Sequence, residues 1–219
     1  EIKKRSPSVG PMREENVTDA AAAYSASPIV KAVSILTNQR HFGMSIHDLA
    51  AIRAGIPHPV LRKDFFVDEY QIHEARAYGA DAILLMANVL NAEKLDSFHS
   101  LARELGMECL FEVHTLDEIS TLPPKARVVG INSRKFKSQT GFAGLDGSSE
   151  KDFSLEMSAF ELVNHLPQGS IRIAESGISP ANLATVAKRF DAALVGTSLL
   201  RDPRGIRECL TDFESAIAR

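Results

Sequence analysis

Residues 60–85 read VLRKDFFVDEYQIHEARAYGADAILL and contain a complete strand, a helix and a second strand. The apolar start, Val60–Phe65, predicts a strand, and Asp68–Gln71 has the spacing of a capping box that begins a helix. Gly79 stands where helices commonly end with a glycine, and Ala82–Met86 is the next apolar run. This stretch therefore predicts one β–α–β unit, in which a helix connects two parallel strands.

The same unit recurs along the whole chain, and most strand candidates begin about 20–30 residues after the previous one. The eight candidates are Glu1–Lys4, Lys31–Thr37, Val60–Phe65, Ala82–Met86, Glu108–His114, Val128–Arg134, Ile171–Ser176 and Ala192–Thr197. Eight units with right-handed crossovers predict a single (β/α)₈ TIM barrel over residues 1–219. An open doubly wound sheet is the alternative, but no G-x-G-x-x-G follows the first strand.

Helix boundaries outside this stretch carry similar signals. Ser45–Asp48 and Thr115–Glu118 are further predicted capping boxes, and Ser179 precedes a proline suited to the first turn of a helix. Gly106 is a predicted helix end.

Composition narrows the class of protein. With 44% apolar residues among 219, the chain can build a substantial core, and a net charge of −3 gives no reason to expect nucleic acid or an anionic membrane as partner. No apolar run approaches the roughly 20 residues of a membrane span. Cys109 and Cys209 have no paired spacing, which favours two reduced thiols in a cytoplasmic protein.

One connection is much longer than the others. It follows the sixth strand candidate, and its segment Ser138–Lys151 is rich in glycine, serine and charged residues. This composition predicts an exposed loop, and its place on the strand-to-helix side predicts that it overhangs the active face as a mobile cover.

Polar residues collect at the predicted carboxyl ends of the strands, where catalytic groups of barrels stand. They are Lys3, Lys63, Glu112, Asn132 with Arg134, Glu175 with Ser176, and Gly196 with Thr197. A polar strand end alone means little, but six that converge on one mouth predict a cluster of lysines and carboxylates. Glu1 shares a strand face with Lys3 by the two-residue period, as Asn132 does with Arg134.

The last two strands end in AESGI and LVGTS. Gly177 and Gly196 allow close approach of the backbone, and with Ser176 and Thr197 they predict a phosphate site, although ordinary tight turns are the alternative. Aromatic residues stand beside the polar cluster, namely Phe42, Phe65 and Phe136. Together these features predict a substrate with a phosphorylated tail and an aromatic head.

Seven blocks resemble indole-3-glycerol-phosphate synthases in order, from Glu1 to about Arg201 and apart from the long sixth loop. They read EIKKRSPS, SILTNQRHFG, VLRKDFFVDEYQIHEARAYGADAILL, ELGMECLFEVH, GINSR, AESGI and LVGTSLLR. The resemblance implies a ribulose-phosphate-binding barrel and a carboxy-lyase of tryptophan biosynthesis. It implies no cofactor and no metal.

The resemblance also implies the reaction. The substrate is 1-(2-carboxyphenylamino)-1-deoxyribulose 5-phosphate, and the products are indole-3-glycerol phosphate, CO₂ and water. Lys63 matches the general acid of ring closure, with a pKa expected to be lowered by burial and a neighbouring lysine. Glu112 matches the catalytic glutamate of dehydration, for which either Lys3 or Lys63 supplies the proton.

The remaining site residues have supporting roles by the same resemblance. Glu1 and Asn132 match residues that orient lysine and substrate. The residues that match or flank the phosphate and carboxylate contacts are Lys3, Ser6, Arg134, Ser176, Gly177, Gly196 and Thr197. We also place Phe42, Phe65 and Glu175 among the substrate-binding residues. Other enzymes of the tryptophan pathway are possible partners.

Two departures from the family pattern stand beside these matches. The helical segment that family members carry before the first strand is absent from these 219 residues, and we expect that it was lost or left out. The Ser138–Lys151 insertion is not typical of the family.

Three alternatives remain. A barrel resembling phosphoribosylanthranilate isomerase would use a cysteine on the first strand and an aspartate on the sixth, where this chain has Lys3 and Asn132. A Schiff-base aldolase would also use a barrel lysine. A catalytically inactive phosphate-binding paralogue would have lost Lys63 or Glu112, and both are present.

Overall fold

Seven parallel strands form one continuous sheet in sequence order in the computed structural model, which describes residues 1–13, 16–134 and 155–218. The strands are β3 (Val33–Leu36), β4 (Val60–Lys63), β5 (Ala82–Met86), β6 (Glu108–Val113), β7 (Val128–Asn132), β8 (Ile171–Glu175) and β9 (Ala192–Leu194). Each pairs with the next in parallel register. The predicted loop Ser138–Lys151 lies outside the described residues.

The beginning of the chain lies between the first and last strands of this sheet. Ile2 donates a backbone hydrogen bond to Ser34 (2.7 Å) and accepts one from Leu36 (3.2 Å), while the backbone nitrogen of the first residue donates to Val195 (2.8 Å). The predicted strand Glu1–Lys4 is therefore too long, because only Ile2 forms a bridge. That segment nevertheless occupies the eighth position and connects the two edges of the sheet, as a closed (β/α)₈ barrel requires.

A short antiparallel hairpin follows, formed by β1 (Arg5–Ser6) and β2 (Gly10–Pro11). The helices are α1 (Asn16–Ala26), α2 (Gln39–Phe42), α3 (Ile46–Arg53), α4 (Glu69–Ala77), α5 (Ala92–Glu104), α6 (Leu116–Ser120), a 3₁₀ helix (Met157–His165), α7 (Pro180–Val186), α8 (Thr197–Leu200) and α9 (Ile206–Ile217). None of the helices described is long and apolar enough to cross a membrane.

Most of the predicted helix boundaries are confirmed. Ser45 and Asp68 each form a complete capping box, and Ser179 does the same before Pro180. The box predicted at Thr115 is incomplete: its hydroxyl accepts from the backbone of Glu118, whose carboxylate accepts from the residue before the cap. Gly79 and Gly106 adopt left-handed φ angles of 91° and 74° after their helices.

The alternation of side chains along the strands divides the core into two parts. The larger part packs between the strands and the helices and includes fully buried Ile83, Leu85 and Phe111. The smaller part faces the barrel interior: Leu61, Leu84, Met86 and Leu110. This inner layer forms the apolar floor on which the polar strand ends stand.

Candidate active site

A cavity of about 730 Å³ opens at the carboxyl ends of the strands. Most residues predicted for the site line it: Glu1, Lys3, Ser6, Phe42, Lys63, Phe65, Glu112, Asn132, Arg134, Ser176, Gly177, Gly196 and Thr197. Glu175 does not line it but is fully buried and contacts Lys63, and Phe136 lies outside the described residues. The structure thus brings the predicted residues together at one mouth.

Lys63 stands at the centre of this arrangement because it ends β4 and points into the barrel. Its Nζ lies 2.8 Å from Oε2 of Glu175, and 3.6 Å from a carboxylate oxygen of both Glu1 and Glu112. Three strands and the N-terminal segment therefore bring one ammonium group and three carboxyl groups together.

The environment of Lys63 contradicts the expected direction of its pKa shift. Burial by itself lowers the pKa of a lysine, and the sequence analysis expected a lowered pKa for Lys63. The carboxylates of Glu175, Glu1 and Glu112 outweigh burial and hold the pKa of Lys63 above its usual value. The prediction was wrong because it counted the neighbouring lysine and not the three acids, which keep Lys63 a protonated cation.

Glu1 and Lys3 form a second pair beside it. Lys3 donates to Oε1 of Glu1 at 2.6 Å, and Tyr24 donates to the Glu1 carbonyl at 3.0 Å. Burial would raise the pKa of the Glu1 carboxyl, but Lys3 and Lys63 together lower it well below its usual range. A side chain at Gly196 would collide with the Glu1 carboxylate, so this glycine makes room for the pair.

Glu112 and Glu175 are two buried carboxyl groups that influence each other's pKa, and one proton between them removes the repulsion of two negative charges. Burial and the charge of Glu112 raise the pKa of Glu175 to about 8, while Lys63 helps to keep that of Glu112 low despite its burial. Asn132 donates to Oε1 of Glu112 at 3.1 Å. Gly130 on β7 makes room for Glu175, because an added Cβ would collide with its carboxyl group.

The loops after β8 and β9 border the same end of the cavity. Ser176 and Gly177 both have left-handed φ angles, 66° and 69°, which turn the chain sharply after Glu175. Gly196 precedes the short helix α8, whose first residue is Thr197. The two loops meet there, as the sequence predicted.

The opposite wall is apolar. Phe42 and Phe65 both pack edge-on against His41, with ring centroids 6.5 and 6.4 Å from its own. Four apolar residues of the cavity lining were not assigned to the site by the sequence analysis: Leu36, Leu84, Met86 and Leu194. Each lies at or near a strand end, so the two-residue period was the signal that could have found them.

Ser6 and Arg134 complete the rim of the cavity. Ser6 is buried in the hairpin and shares a hydrogen bond of 3.0 Å with Ser8. Arg134 follows the last residue of β7 by two positions, and its backbone nitrogen donates to Oδ1 of Asn132 at 3.0 Å. This bond fixes the Asn132 amide so that its nitrogen faces Glu112. Within the described ranges no group of three or more His, Cys, Asp or Glu residues is placed to hold a metal ion.

Comparison with known proteins assigns the family. The model of the family described as indole-3-glycerol phosphate synthase matches residues 1–208. This chain belongs to the indole-3-glycerol phosphate synthase family. An indole-3-glycerol phosphate synthase of Kineococcus radiotolerans is 42% identical over 211 residues, covering 93% of this chain and 72% of the relative. That of Leptospira interrogans is 41% identical over 199 residues, covering 90% and 74%.

Solved structures of much lower sequence identity support the fold. The 3-hexulose-6-phosphate synthase from Salmonella typhimurium superposes with a TM-score of 0.69 at 14% identity, covering 92% of this chain and 93% of that one. A thiamine phosphate pyrophosphorylase from Pyrococcus furiosus gives 0.64 at 13%, covering 94% and 90%. The predicted α/β barrel and the resemblance to indole-3-glycerol phosphate synthases are thus both confirmed.

The sequence analysis did not assign several polar residues to the indole-3-glycerol phosphate synthase site, among them Ser8, Asp64 and Ser198 of the cavity lining. It also left out His114, which follows Glu112 by two residues and whose Nε2 lies 3.4 Å from Oε1 of that glutamate. The predicted strand Glu108–His114 contained the signal, since residues two apart on a strand share a face.

Proposed function

We propose that this chain catalyses the decarboxylating ring closure and dehydration of 1-(2-carboxyphenylamino)-1-deoxyribulose 5-phosphate to indole-3-glycerol phosphate in tryptophan biosynthesis. Membership of the family makes it an enzyme, a carboxy-lyase. The observation that carries the proposal is a cavity whose lining combines Lys63 and its carboxyl partners Glu1 and Glu112 with apolar residues and two glycine-containing loops. Residues 1–219 act as one catalytic domain.

The two ends of the cavity match the two ends of the substrate. The phosphate binds at the loops of Ser176–Gly177 and Gly196–Thr197, where backbone amides and hydroxyl groups face the cavity. The anthranilate ring lies against Phe42 and Phe65. Lys3, Ser6 and Arg134 are the further polar contacts for phosphate and carboxylate. The ketone carbon is then held near the Nζ atom of Lys63.

Ring closure requires an acid, because the ketone oxygen gains charge as the aromatic carbon attacks. Lys63 donates this proton. Its acidity must therefore rise in the complex, which follows if bound substrate moves Nζ away from Glu175, Glu1 and Glu112, the carboxyl groups that hold its proton. Loss of CO₂ then restores aromaticity without a cofactor.

Dehydration requires a base for the C–H proton and an acid for the departing hydroxyl group. Glu112 is the base, and Asn132 orients it through the 3.1 Å hydrogen bond. Lys3 is the acid, held by Glu1 at 2.6 Å, because Lys63 has already given up its proton in ring closure. We place the reaction in the cytoplasm, where other enzymes of the tryptophan pathway supply the substrate and take up the product.

An assay of indole fluorescence with purified enzyme tests the proposal directly. We expect turnover of the carboxyphenylamino-deoxyribulose phosphate. Glu112→Gln should lower kcat by about 10²–10⁴-fold with KM nearly unchanged, since the change is near-isosteric and removes only the base. No indole formation by the wild-type chain would overturn the assignment, and borohydride trapping of substrate on a lysine would instead support the aldolase alternative.

Thr197→Val tests the phosphate end. It keeps the shape of the side chain and removes one hydroxyl donor, so KM should rise by about fivefold while kcat is retained. Gly196 is unsuitable for this purpose, because any side chain there would displace Glu1. A fall in kcat at unchanged KM would place Thr197 at the reacting centre and not at the phosphate.

A further inference from the structure

The proposed reaction consumes one proton per turnover, and this inference rests on that reaction. A carboxylate leaves as neutral CO₂ and a hydroxyl group leaves as water, so two protons go in at oxygen while one comes off carbon. We infer that His114 carries the missing proton from solvent to the site, through Glu118 on its outer side and Glu112 on its inner side. His114 acts through Glu112 and touches no reacting atom.

The imidazole ring lies between these two carboxyl groups. Its Nε2 is 3.4 Å from Oε1 of Glu112, and its Nδ1 is 3.4 Å from Oε2 of Glu118. A histidine with an acid at each ring nitrogen can accept a proton on one side and release one on the other. Distances of this length in an unliganded site commonly shorten in the complex.

The solvent exposure of the side chains increases stepwise from Glu112 through His114 to Glu118. The side chains of Glu112, His114 and Glu118 are 2%, 11% and 16% exposed. The line thus runs from a carboxylate sealed inside the barrel to one that touches solvent. When substrate fills the cavity mouth, water has no access from that side, whereas the route past Glu118 remains open.

The outer end of the line is held in place by the start of α6. Oε2 of Glu118 accepts the backbone N–H of His114 at 2.7 Å, and the Thr115 hydroxyl accepts that of Glu118 at 3.3 Å. The incomplete capping box at Thr115 thus positions Glu118 beside the histidine. The Glu118 carboxylate is drawn back to the histidine and away from the N-cap residue.

Charges around the ring favour its protonated form. Glu112 faces it from its own strand, Glu118 from α6 and Glu175 from β8, with Lys63 on the far side of Glu112. Burial opposes a charge on the ring, but these acids outweigh it and raise the pKa of His114. The ring can therefore hold a proton near neutral pH and pass it on when Glu112 is ionised.

Glu112 first passes the proton that it took from carbon across 3.6 Å to the neutral Nζ of Lys63, from which it reaches the neutral Lys3 through Glu1. Nε2–H of the imidazolium then gives its proton to Oε1 of Glu112, which passes a proton from Oε2 to Lys63. The ring is left neutral with its proton on Nδ1, and rotation of the side chain brings the bare Nε2 to the outer side, where it takes a proton from Glu118, which takes its own from water. One proton has entered, Lys3 and Lys63 are again ammonium ions, and Glu112 is again ionised.

The test compares three variants of the full chain in the indole assay between pH 6 and 9. His114→Ala should lower kcat by about tenfold at pH 8 and less at pH 6, with KM retained, because proton uptake limits turnover where protons are scarce. Added imidazole should restore kcat. Glu118→Gln should give the same pH-dependent loss, since glutamine preserves the acceptor for the His114 backbone and carries no proton.

Asp117→Asn is the matched control, because it removes the same charge from the same turn of α6 at the position next to Glu118. It should behave like the wild type. The relay is overturned if both His114→Ala and Glu118→Gln keep wild-type kcat at pH 8, or if the loss is equal at every pH and imidazole does not restore it. Wild-type turnover in the same assay separates this result from a failure of the proposed function.

Discussion

Two adjacent residues of β4 place buried cations on opposite sides of the barrel wall. Arg62 points outward between the strand and α4, and its side chain is 4% exposed. Lys63 points inward to the cavity and is 15% exposed. Both face carboxylates at similar distances, yet their surroundings differ in kind.

The partners of Arg62 use all sides of its guanidinium group. It contacts Glu74 at 2.9 Å and Asp64 at 3.4 Å, and it donates to the Thr37 hydroxyl at 3.0 Å and to the Gln71 carbonyl at 2.9 Å. These partners come from β4, from α4 and from the end of β3. A planar fork with five donors is suited to join them, so the outer cation stabilises the fold.

Lys63 makes fewer hydrogen bonds than Arg62. It shares one hydrogen bond of 2.8 Å with Glu175, while Glu1 and Glu112 stand farther away at 3.6 Å. The lysines and carboxyl groups gathered around it stand at the edge of an open cavity, and their desolvation costs free energy. A buried cation is thus structural where partners on several sides engage its donors, and functional where it makes few hydrogen bonds beside an open volume.

The largest expected effect is on turnover. Lys63→Met keeps the length of the side chain and removes the acid, so kcat should fall by about 10²–10⁴-fold. The fold should persist, because the three carboxyl groups can take up protons once their cation is gone. Indole fluorescence and a thermal melt measure the two quantities. A variant within about threefold of wild-type turnover would exclude Lys63 from the mechanism.

Arg62→Met should lower the stability of the fold and leave turnover nearly unchanged. Removing one partner of a buried ion pair costs about 3–5 kcal/mol, and here Asp64 and Glu74 both lose their cation. Denaturant unfolding measures this loss, and kcat of the folded fraction should stay near the wild-type value. Arg62→Lys is the control: it keeps the charge but cannot reach four partners, so it should recover only part of the stability.

If Arg62→Met abolished turnover while leaving the unfolding midpoint unchanged, the division between an outer structural and an inner functional cation would be wrong. Equal losses of both properties in the two variants would contradict it as well.

Much of the inner site could be predicted because catalytic residues of a barrel follow a local rule. Lys63 and Glu112 end apolar runs, and the two-residue period decides which way each side chain points. The same reasoning found the loops of Ser176 and Gly196. The position of these residues in the barrel and the direction of their side chains could therefore be predicted from single segments of the chain.

Properties that depend on contacts between several segments of the chain could not be predicted. The pKa of Lys63 was predicted in the wrong direction because Glu175 and Glu1 come from segments remote in sequence. The first strand was predicted too long because strand length is set by pairing: Ile2 bridges to Ile35, and the chain then leaves for the hairpin. The space left by Gly130 for Glu175 is likewise a property of two strands together.

The smallest expected effect concerns the pH dependence of stability on the inner side. The pKa of Glu175 is raised from 4.5 to about 8, chiefly by burial. Between these values the folded chain holds a proton that the unfolded chain has released. The contribution of Glu175 to stability is therefore complete below pH 4.5 and is lost as pH rises toward 8, by at most about 1.4 kcal/mol per pH unit.

Glu175→Gln removes this dependence, because glutamine resembles the protonated acid at every pH. The free energy of unfolding of the variant minus that of the wild type should therefore increase from pH 5 to pH 8, as denaturant titrations at several pH values would measure. Glu161→Gln is the control: arginine pairing lowers the pKa of Glu161, so its difference from wild type should stay flat in this window. A flat difference for Glu175→Gln too would mean that the inner carboxyl groups are all ionised near neutral pH. Three negative charges would then surround Lys63 and Lys3, and a shared proton would be excluded as the feature that distinguishes the inner site from the surroundings of Arg62.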